Sequence, residues 1–433
     1  MDFTPITEAM QPAKDGKEAA VRGWIYRKRG SGGMLFIVIR DASGVMQCAV
    51  KKDKVPEKSF QDAEKALIES SVWVKGTVKE DKRAPGGFEL QASDFGVTQF
   101  SEIFPISKDQ STEFLLDVRH LWLRSQKLTN VMKVRDYAQR YFREFFQQKG
   151  FWELAPPIIT KAGCEGGSTL FEVDYFGEKA YLTQSGQLYN EVFITALEKV
   201  FIFAPSFRAE PSRTVKHLTE YWHLEMEAAY YGNEENMKFQ EEMVSYVCNK
   251  LAEEHPDLLK FFGRDPADLL AIKAPFDRID YQDAIDYING HGGKKTYGDD
   301  FGAEDEKILT GHLKKPIFIT GFPKEIKAFY MREDPGKPGR VLCADLMAPE
   351  GHGEDIGGSE RIWELPELLK KMKEQDPPLE EKDYQWYVDL RRYGSVPHSG
   401  FGLGMERFVK WVLNLDHIRD AIPFPRVINR CYP

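Results

Sequence analysis

Two segments of this chain place charged side chains at spacings that suit the chemistry of polyphosphates. Residues 207–210 read FRAE, and His217 follows on the same stretch. Residues 400–407 read GFGLGMER, where alternating glycines let the backbone approach a planar ligand beside a guanidinium group. The chain has neither a G-x-x-x-x-G-K-[ST] loop nor a G-x-G-x-x-G turn between a strand and a helix. If it handles a nucleotide, its side chains must therefore hold the phosphates.

The N-terminal elements around these segments are short and rich in β-branched and aromatic residues. Strand-like runs at 21–26, 34–40, 45–50 and 71–78 are separated by turn residues at 41–44 and by a short helical stretch at 60–70. About five short strands with one helix in roughly 100 residues favour a small closed barrel of the oligonucleotide-binding (OB) type. A β-barrel that binds no ligand has the same pattern and stays open as an alternative.

The rest of the chain mixes helices and strands. Apolar residues three and four apart over 130–149 predict an amphipathic helix that Gly150 ends. Strand-like runs at 200–203, 221–231, 316–320 and 340–348, with a helical stretch at 236–254, favour an antiparallel α+β domain over a doubly wound one. Residues 101–118 show no clear periodicity and are expected to link the two domains.

Composition narrows the classes of protein. The 433 residues contain no apolar run long enough to cross a bilayer and no secretory leader, so we expect a cytoplasmic protein with no membrane partner. The five cysteines are scattered and never spaced C-x-x-C, which argues against a disulfide framework or a zinc knuckle. The net charge of −9 counts mildly against a nucleic-acid partner. Basic residues concentrated in the first 60 positions nevertheless indicate either a local RNA contact or a solvated basic face.

Three segments, in chain order, resemble the signature motifs of class II aminoacyl-tRNA synthetases. Residues 150–157 (GFWELAPP) resemble the first motif, with Pro157 at its hallmark position, and residues 207–210 and 400–407 resemble the second and third. The resemblance covers nearly the whole chain. Within the class, the chain resembles the subgroup that contains the aspartate, asparagine and lysine enzymes. This resemblance implies an N-terminal anticodon-binding OB-fold β-barrel over 1–100, a linker over 101–118, and a class II catalytic domain over 119–433 with an antiparallel sheet flanked by helices. It also implies a homodimer, because the first motif lies at a two-fold interface in the family.

The resemblance implies that the catalytic domain uses ATP as a substrate. Arg208 would bridge the α-phosphate and the attacking carboxylate, and Glu210 would accept a hydrogen bond from the adenine amino group. His217 would meet the γ-phosphate, while Tyr221 and Arg407 would sandwich the adenine. Arg208 and Arg407 would be the catalytic residues. The reaction would then depend on neutralised charge and fixed geometry, with no general base.

The resemblance also implies a Mg²⁺ ion beside the ATP. Glu354 matches the family's metal-binding glutamate, and Asp345 is a second candidate. This chain has Asp355 and Glu360 where related sequences commonly carry an apolar residue and a glutamine. We therefore expect a more negative field beside the metal than is usual in the family.

Three residues bear on which amino acid is bound. Arg361 corresponds to the arginine that grips the substrate side chain in aspartate and asparagine enzymes, and a guanidinium suits either a carboxylate or a carboxamide oxygen. Asn190 stands where aspartate enzymes have a lysine, and Glu225 stands where asparagine enzymes also have glutamate. A carboxylate at 225 can accept from a carboxamide N–H and repels a second carboxylate, which favours asparagine. The alternative role for Glu225 is support of Arg361.

The implied activity is ATP-dependent activation of L-asparagine and its transfer to tRNA(Asn), with release of AMP and pyrophosphate. Glu165, Ser185 and Gln187 would hold the amino and carboxylate groups of the substrate. A non-discriminating aspartyl enzyme is the alternative. A related asparagine-making ligase without the barrel is disfavoured by the first 100 residues, and a non-catalytic RNA-binding protein is disfavoured by the intact motifs.

The barrel carries the residues implied for anticodon binding. Phe36 lies on one predicted strand and Gln47 on the next, and the resemblance makes them a base-stacking aromatic and a hydrogen-bonding reader. Arg27 would support them through a phosphate contact. The apolar run around Phe36 by itself indicates a core position instead.

Overall fold

The chain divides into two units, Met1–Leu115 and Leu116–Pro433, in a computed structural model that describes residues 2–161, 163–164, 170–211 and 214–433. Among these described residues, no helix combines the length and the apolar character needed to pass through a bilayer.

Alternating apolar residues build the barrel of the first unit. Its strands are β1 (Glu18–Ser31), β2 (Met34–Arg40), β3 (Val45–Lys51), β4 (Ser71–Glu80) and β5 (Phe88–Gln99), with helices α1 (Ile6–Ala9) and α2 (Glu57–Lys65). They close in the order β1-β2-β3-β5-β4. Leu35, Ile37 and Ile39 fill the interior, so the residues between them on β2 face outward. The predicted barrel and its helix are present.

The second unit contains two sheets. The strands are β6 (Trp152–Leu154), β7 (Ile159–Thr160), β8 (Glu172–Tyr175), β9 (Glu178–Leu182), β10 (Lys199–Phe207), β11 (Glu220–Ala229), β12 (Asp277–Asp280), β13 (Ile317–Thr320), β14 (Cys343–Ala348), β15 (Gly353–Glu360) and β16 (His398–Gly404). The large sheet has the order β12-β13-β14-β15-β16-β11-β10-β6, and the small one β7-β9-β8. The six central strands of the large sheet pair antiparallel, as predicted, whereas each edge strand pairs parallel with its neighbour.

The remaining helices precede, separate and follow these strands in the chain. They are α3 (Thr112–Asp117), α4 (Arg119–Trp122), α5 (Gln126–Gln148), α6 (Gln187–Leu197), α7 (Asn233–Glu254), α8 (Pro256–Phe261), α9 (Pro266–Leu270), α10 (Tyr281–Gly290), α11 (Ala303–Thr310), α12 (Leu365–Lys373), α13 (Gln385–Arg392) and α14 (Met405–Val412). The predicted amphipathic helix is α5, which begins after the cap Ser125 and ends before Gly150 at φ +78°. The predicted linker is not wholly irregular, because α3 begins inside it.

The core of the second unit lies between the large sheet and α5, α7 and α14. Phe142 of α5 packs edge-on against Phe408 of α14, and Phe146 stacks on Phe201 of β10 at 4.4 Å between ring centroids. These aromatic contacts hold one face of β10, β11 and β16 against helices. The other face of the same strands is left to form a pocket.

Candidate active site

A pocket of about 440 Å³ lies against the central strands of the large sheet. Of the thirteen residues predicted for the ATP, metal and amino-acid sites, eleven line this pocket: Ser185, Gln187, Asn190, Arg208, His217, Tyr221, Glu225, Asp345, Glu354, Arg361 and Arg407. Glu210 instead lines a neighbouring pocket of about 680 Å³. Glu165 lies outside the described residues. The fold thus brings together residues that are separated by more than 200 positions in the chain.

One end of the pocket is rich in arginine. The Arg208 guanidinium lies 5.7 Å from the centre of the Tyr221 ring. Arg407 donates to the Glu354 carbonyl oxygen at 3.0 Å and to its carboxylate at 3.3 Å. Burial alone would raise the pKa of Glu354, but Arg407, Lys327 and Arg208 hold this pKa below its usual value. This end therefore combines fixed positive charge with an ionised carboxylate.

His217 lies beside these arginines, on the loop between β10 and β11. Burial and the nearby Arg407 lower the pKa of its imidazole. The Thr214 hydroxyl hydrogen-bonds to His217 Nδ1. The ring is therefore held in one orientation as a largely neutral donor or acceptor.

The predicted metal residues lie together. A Cβ atom on Gly357 would be 3.3 Å from Glu354 Oε1 and 3.7 Å from Asp345 Oδ1, so the two carboxylates flank this glycine. Lys327 Nζ donates to Asp345 Oδ2 at 2.5 Å. Burial raises the pKa of Asp345 to about 6, with Lys327 opposing and Glu354 adding to the shift. Two oxygen ligands of this kind suit Mg²⁺, which needs few protein carboxylates when phosphates and water complete its shell.

Among the described residues, no group of three or more His, Cys, Asp and Glu side chains is arranged to hold a metal. The expectation of an unusually negative field is not borne out. Burial raises the pKa of Asp355 to about 8, so this carboxyl is protonated at neutral pH. Glu360 accepts from Arg332 Nη1 at 2.6 Å and is neutralised by that pairing. Neither residue adds a bare negative charge beside Glu354.

The other end of the pocket is organised around Arg361. Its Nε and Nη2 donate to the two carboxylate oxygens of Glu227, both at 3.1 Å, and its Nη1 donates to Ser359 Oγ at 2.6 Å. Arg361 and Glu227 are almost completely buried. The buried partner of Arg361 is therefore Glu227, and the alternative role of Glu225 as support for Arg361 stays a prediction.

Glu225 lies two residues before Glu227 on the same face of β11. Its carboxylate accepts from the Gly186 N–H at 2.8 Å and from the Ser185 hydroxyl. Gly186 is the cap of α6, so the carboxylate lies at the positive end of that helix. The same contacts fix the Ser185 side chain, one of the predicted substrate-binding groups.

A second buried charge network lies behind α6. Gln187 Nε2 donates to Glu191 Oε1 at 3.1 Å, one helical turn further on. Glu191 also accepts from Arg391 Nη2, from the Tyr387 hydroxyl at 2.8 Å and pairs with His398 Nε2 at 3.0 Å. The bond to Glu191 fixes the orientation of the Gln187 amide, whose Oε1 can accept from a ligand and whose Nε2 has a second N–H to donate.

Asn190 lies on the pocket side of α6 and is completely buried. Within the described part of the chain, neither its amide nitrogen nor its amide oxygen has a hydrogen-bond partner. A buried amide that lines a pocket with both groups unpaired is suited to bind a polar ligand. The prediction that Asn190 contributes to the pocket agrees with this placement.

Two glycines of β16, Gly402 and Gly404, line the pocket, and Gly400 and Gly402 also make room for neighbouring side chains. A Cβ atom on Gly400 would lie 2.1 Å from Glu227 Oε2, and one on Gly402 would lie 2.4 Å from His223 Nε2. These glycines therefore make room for side chains of β11, and Gly400 admits the carboxylate that holds Arg361. Only Gly404 leaves its side of the strand open, next to the stem of Arg407.

In the barrel, the three predicted anticodon residues lie on the outer face of β1, β2 and β3. Phe36 is half-buried and points outward, so the core position was wrong. The Arg29 guanidinium lies 5.4 Å from the Phe36 ring centre and donates to Gln47 Oε1 at 3.3 Å. Gln47 Nε2 donates in turn to Glu89 Oε2 at 3.0 Å. Arg27 is exposed on the same face.

Sequence reasoning missed Glu227, Glu191, Lys327 and Glu89, whereas Arg29 belongs to the basic patch for which an RNA contact was expected. One signal was present for Glu227, because residues 225 and 227 lie on the same face of a strand. The other three contact partners on other elements. For example, 207 positions separate Glu191 from His398, and no spacing rule connects them.

Comparison with known proteins defines the class. A family model described as tRNA synthetases class II (D, K and N) matches residues 111–428. A second model, described as an OB-fold nucleic acid binding domain, matches residues 19–98. The fold and the charged pocket are therefore those of a class II tRNA synthetase with an OB-fold barrel, as predicted.

Relatives narrow the class further. The asparagine--tRNA ligase of Thermoplasma acidophilum is 50% identical over 428 residues, which cover 99% of each chain. The crystal structure of asparaginyl-tRNA synthetase from Pyrococcus horikoshii complexed with asparaginyl-adenylate has a TM-score of 0.96 and 46% identity, with 100% of both chains covered. A putative aspartyl-tRNA synthetase from Leishmania major has 25% identity and a TM-score of 0.87 over 100% of this chain and 94% of its own. The chain belongs to the asparaginyl-tRNA synthetase family.

Proposed function

We propose that this chain activates L-asparagine with ATP to form asparaginyl-adenylate and transfers the asparaginyl group to tRNA(Asn), releasing AMP and pyrophosphate. The observation that carries the choice of asparagine is the buried pairing of Arg361 with Glu227 beside Asn190. Glu227 cancels the charge of the arginine, so the pocket offers hydrogen bonds without a surplus positive charge. A neutral carboxamide suits such a pocket better than a carboxylate does.

The reacting groups of asparagine would be held by residues at the start of α6. Ser185 is held by Glu225, and the amide of Gln187 is oriented by its bond to Glu191. An oxygen acceptor suits the α-ammonium group of an amino acid. We propose Glu165 as a further residue of this subsite. Glu225 lines the pocket, where its charge would repel the side chain of aspartate.

In the activation step, the asparagine carboxylate attacks the α-phosphate and pyrophosphate leaves. Arg208 would neutralise the charge that develops on the phosphate, and Arg407 and Tyr221 would hold the adenine from its two faces. His217 would hydrogen-bond to the γ-phosphate, and Glu210 would accept from the adenine amino group. The attacking group is already an anion, so the site needs no general base.

We propose that Mg²⁺ accompanies ATP and that Glu354 and Asp345 hold it. The ion would neutralise phosphate charge. Glu354 is kept ionised by its arginine neighbours. Asp345 would exchange its contact with the Lys327 ammonium for the metal, and its pKa of about 6 leaves it ionised at neutral pH.

We propose that the chain comprises an anticodon-binding domain over 1–100, a linker over 101–118 and a catalytic domain over 119–433. On the barrel, Phe36 would stack on an unpaired base, Gln47 would hydrogen-bond to a base edge, and Arg27 would contact phosphate. The outward Phe36 with its adjoining Arg29 supports this assignment, because stacked bases are held by aromatic and guanidinium surfaces.

We propose that the protein forms a homodimer through the segment 150–157 and acts in the cytoplasm. Trp152 lies on the edge strand β6 and is 60% exposed, and Ile158 and Ile159, a few residues further on, are also exposed. An exposed tryptophan on an edge strand is suited to cover by a second copy.

The test is pyrophosphate exchange measured separately with asparagine and with aspartate. We expect asparagine-dependent exchange, and kcat/KM for aspartate lower by about four orders of magnitude. Comparable activation of aspartate would refute the choice of asparagine and favour a non-discriminating aspartyl enzyme. Charging of tRNA(Asn) but not tRNA(Asp) tests the second step.

A further inference from the structure

Helix α11 lies in a stretch for which the sequence predicted no element and suggested no role. Its Glu306 side chain is largely buried, and its carboxylate accepts from Lys216 Nζ and, at 3.3 Å, from the Glu354 N–H. Lys216 belongs to the loop that carries His217, and Glu354 lies on β15. One carboxylate thus joins three separate segments at the phosphate end of the pocket.

The Glu306–Lys216 pair is closely packed against Gly353. A Cβ atom on Gly353 would lie 1.9 Å from Glu306 Oε2 and 2.1 Å from Lys216 Nζ, and this glycine has φ +77°. The ion pair is therefore packed directly against the backbone at the start of β15. A side chain at 353 would be excluded both by the backbone conformation and by the pair.

Glu306 also balances charge around the ATP site. Burial raises the pKa of its carboxyl, Lys216 and Arg407 lower it, and Glu354 raises it. The charged groups that shift the pKa of Glu306 are thus Lys216 of the loop and two residues predicted to bind ATP, Glu354 and Arg407. Without Glu306, the buried Lys216 ammonium would lose the carboxylate that pairs with it. An uncompensated positive charge would then lie near Arg407.

We propose that Glu306 is a positioning residue for ATP. Through Lys216 it holds the loop bearing His217, and through the Glu354 N–H it holds β15, so that the phosphate groups meet a site already in place. The inference rests on the proposed function and adds to it the role of α11. A residue that orders phosphate-binding groups affects the KM for ATP and leaves the distant asparagine subsite unchanged.

The test compares Glu306→Gln and Glu306→Ala with the unchanged protein in asparagine-dependent pyrophosphate exchange. We expect the KM for ATP to rise about tenfold or more in Glu306→Ala, and by less in Glu306→Gln, whose amide oxygen can still accept from Lys216 and the Glu354 N–H. The KM for asparagine should stay within about twofold. Asp280→Asn, which weakens the partly buried pair of Asp280 with Arg340, is the control and should leave both KM values unchanged.

Two further measurements separate positioning from folding. Lys216→Met should raise the KM for ATP, and combining it with Glu306→Ala should add less than the sum of the two single changes, because both remove the same ion pair. The dissociation constant of ATP, measured by equilibrium dialysis, should follow the KM. An unchanged KM for ATP, or equal rises for ATP and asparagine, overturns the inference. If the unchanged protein shows no asparagine-dependent exchange, the proposed function fails, while the dialysis comparison still tests Glu306.

Discussion

Replacing Glu227 by glutamine should shift the preference of the pocket from asparagine toward aspartate. The substitution keeps the size of the side chain but removes the charge that balances Arg361. In the present structure, both oxygens of Glu227 accept from Arg361 at 3.1 Å, and both residues are almost fully buried. A glutamine preserves one of these two bonds and leaves the guanidinium with a surplus positive charge.

The magnitude follows from those contacts. A hydrogen bond between charged groups contributes about 1.5–3 kcal/mol, so the folded protein should lose roughly that much stability. In the variant, the unbalanced Arg361 guanidinium can attract the carboxylate of aspartate, whereas its attraction to a neutral carboxamide is weak. Since about 1.4 kcal/mol is a factor of ten, the ratio of kcat/KM for aspartate over asparagine should rise by about tenfold to a hundredfold.

The assay is pyrophosphate exchange with each amino acid, together with unfolding by denaturant. Glu241→Gln is a matched control. Glu241 is a buried glutamate on α7 whose carboxylate accepts from the Phe276 N–H at 3.1 Å, and it is not among the described residues that line the pocket. It should reduce stability without changing the ratio. If Glu227→Gln is destabilised but its ratio stays unchanged, charge balance at Arg361 does not set the choice of substrate.

Three further predictions concern other parts of the chain. Arg208→Ala should abolish asparagine-dependent pyrophosphate exchange while leaving tRNA binding unchanged, and full exchange activity would refute its role. Phe36→Ala should weaken tRNA(Asn) binding by about 1–3 kcal/mol without affecting exchange, as measured by filter binding; an unchanged affinity would remove the stacking role. Burial and Lys410 lower the pKa of His352 to about 4, so the folded state excludes a proton that the unfolded chain takes up below pH 6.5. Stability should therefore fall as the pH drops from 6.5 toward 4, and His352→Gln should flatten that fall in denaturant titrations.

Local patterns in the sequence were sufficient for much of the fold. Strand β2 and helix α5 were predicted because each has one apolar periodicity over its length. The same alternation places the Phe36 side chain on the other face of the strand from Leu35 and Ile37. Its outward direction could therefore be predicted once the strand was assigned. The parallel edge strands β6 and β12 were not predicted, because strand direction depends on pairing partners that lie far away in the chain.

The candidate site divides in a similar way. Arg208, Arg407 and Glu354 were identified from short motifs, since these motifs fix residue types within a few positions of each other. Glu306 and Glu191 could not be identified, because each contacts a partner far away in the sequence. Glu306 and Lys216 are 90 positions apart, and Glu191 and Arg391 are 200 positions apart. Charge alone also misled the reasoning about Asp355, whose burial keeps it protonated.

At each end of the pocket, a buried carboxylate pairs with one cation. At the asparagine end, Glu227 cancels Arg361, which leaves hydrogen-bonding capacity without net charge. At the ATP end, Glu306 pairs with Lys216, and Arg208 and Arg407 add further positive charge beside Glu354. A phosphate-binding site needs surplus positive charge, and a carboxamide-binding site must avoid it. The placement of these glutamates lets one continuous pocket satisfy both conditions, so Glu227→Gln should change the choice of amino acid and Glu306→Ala should weaken the binding of ATP.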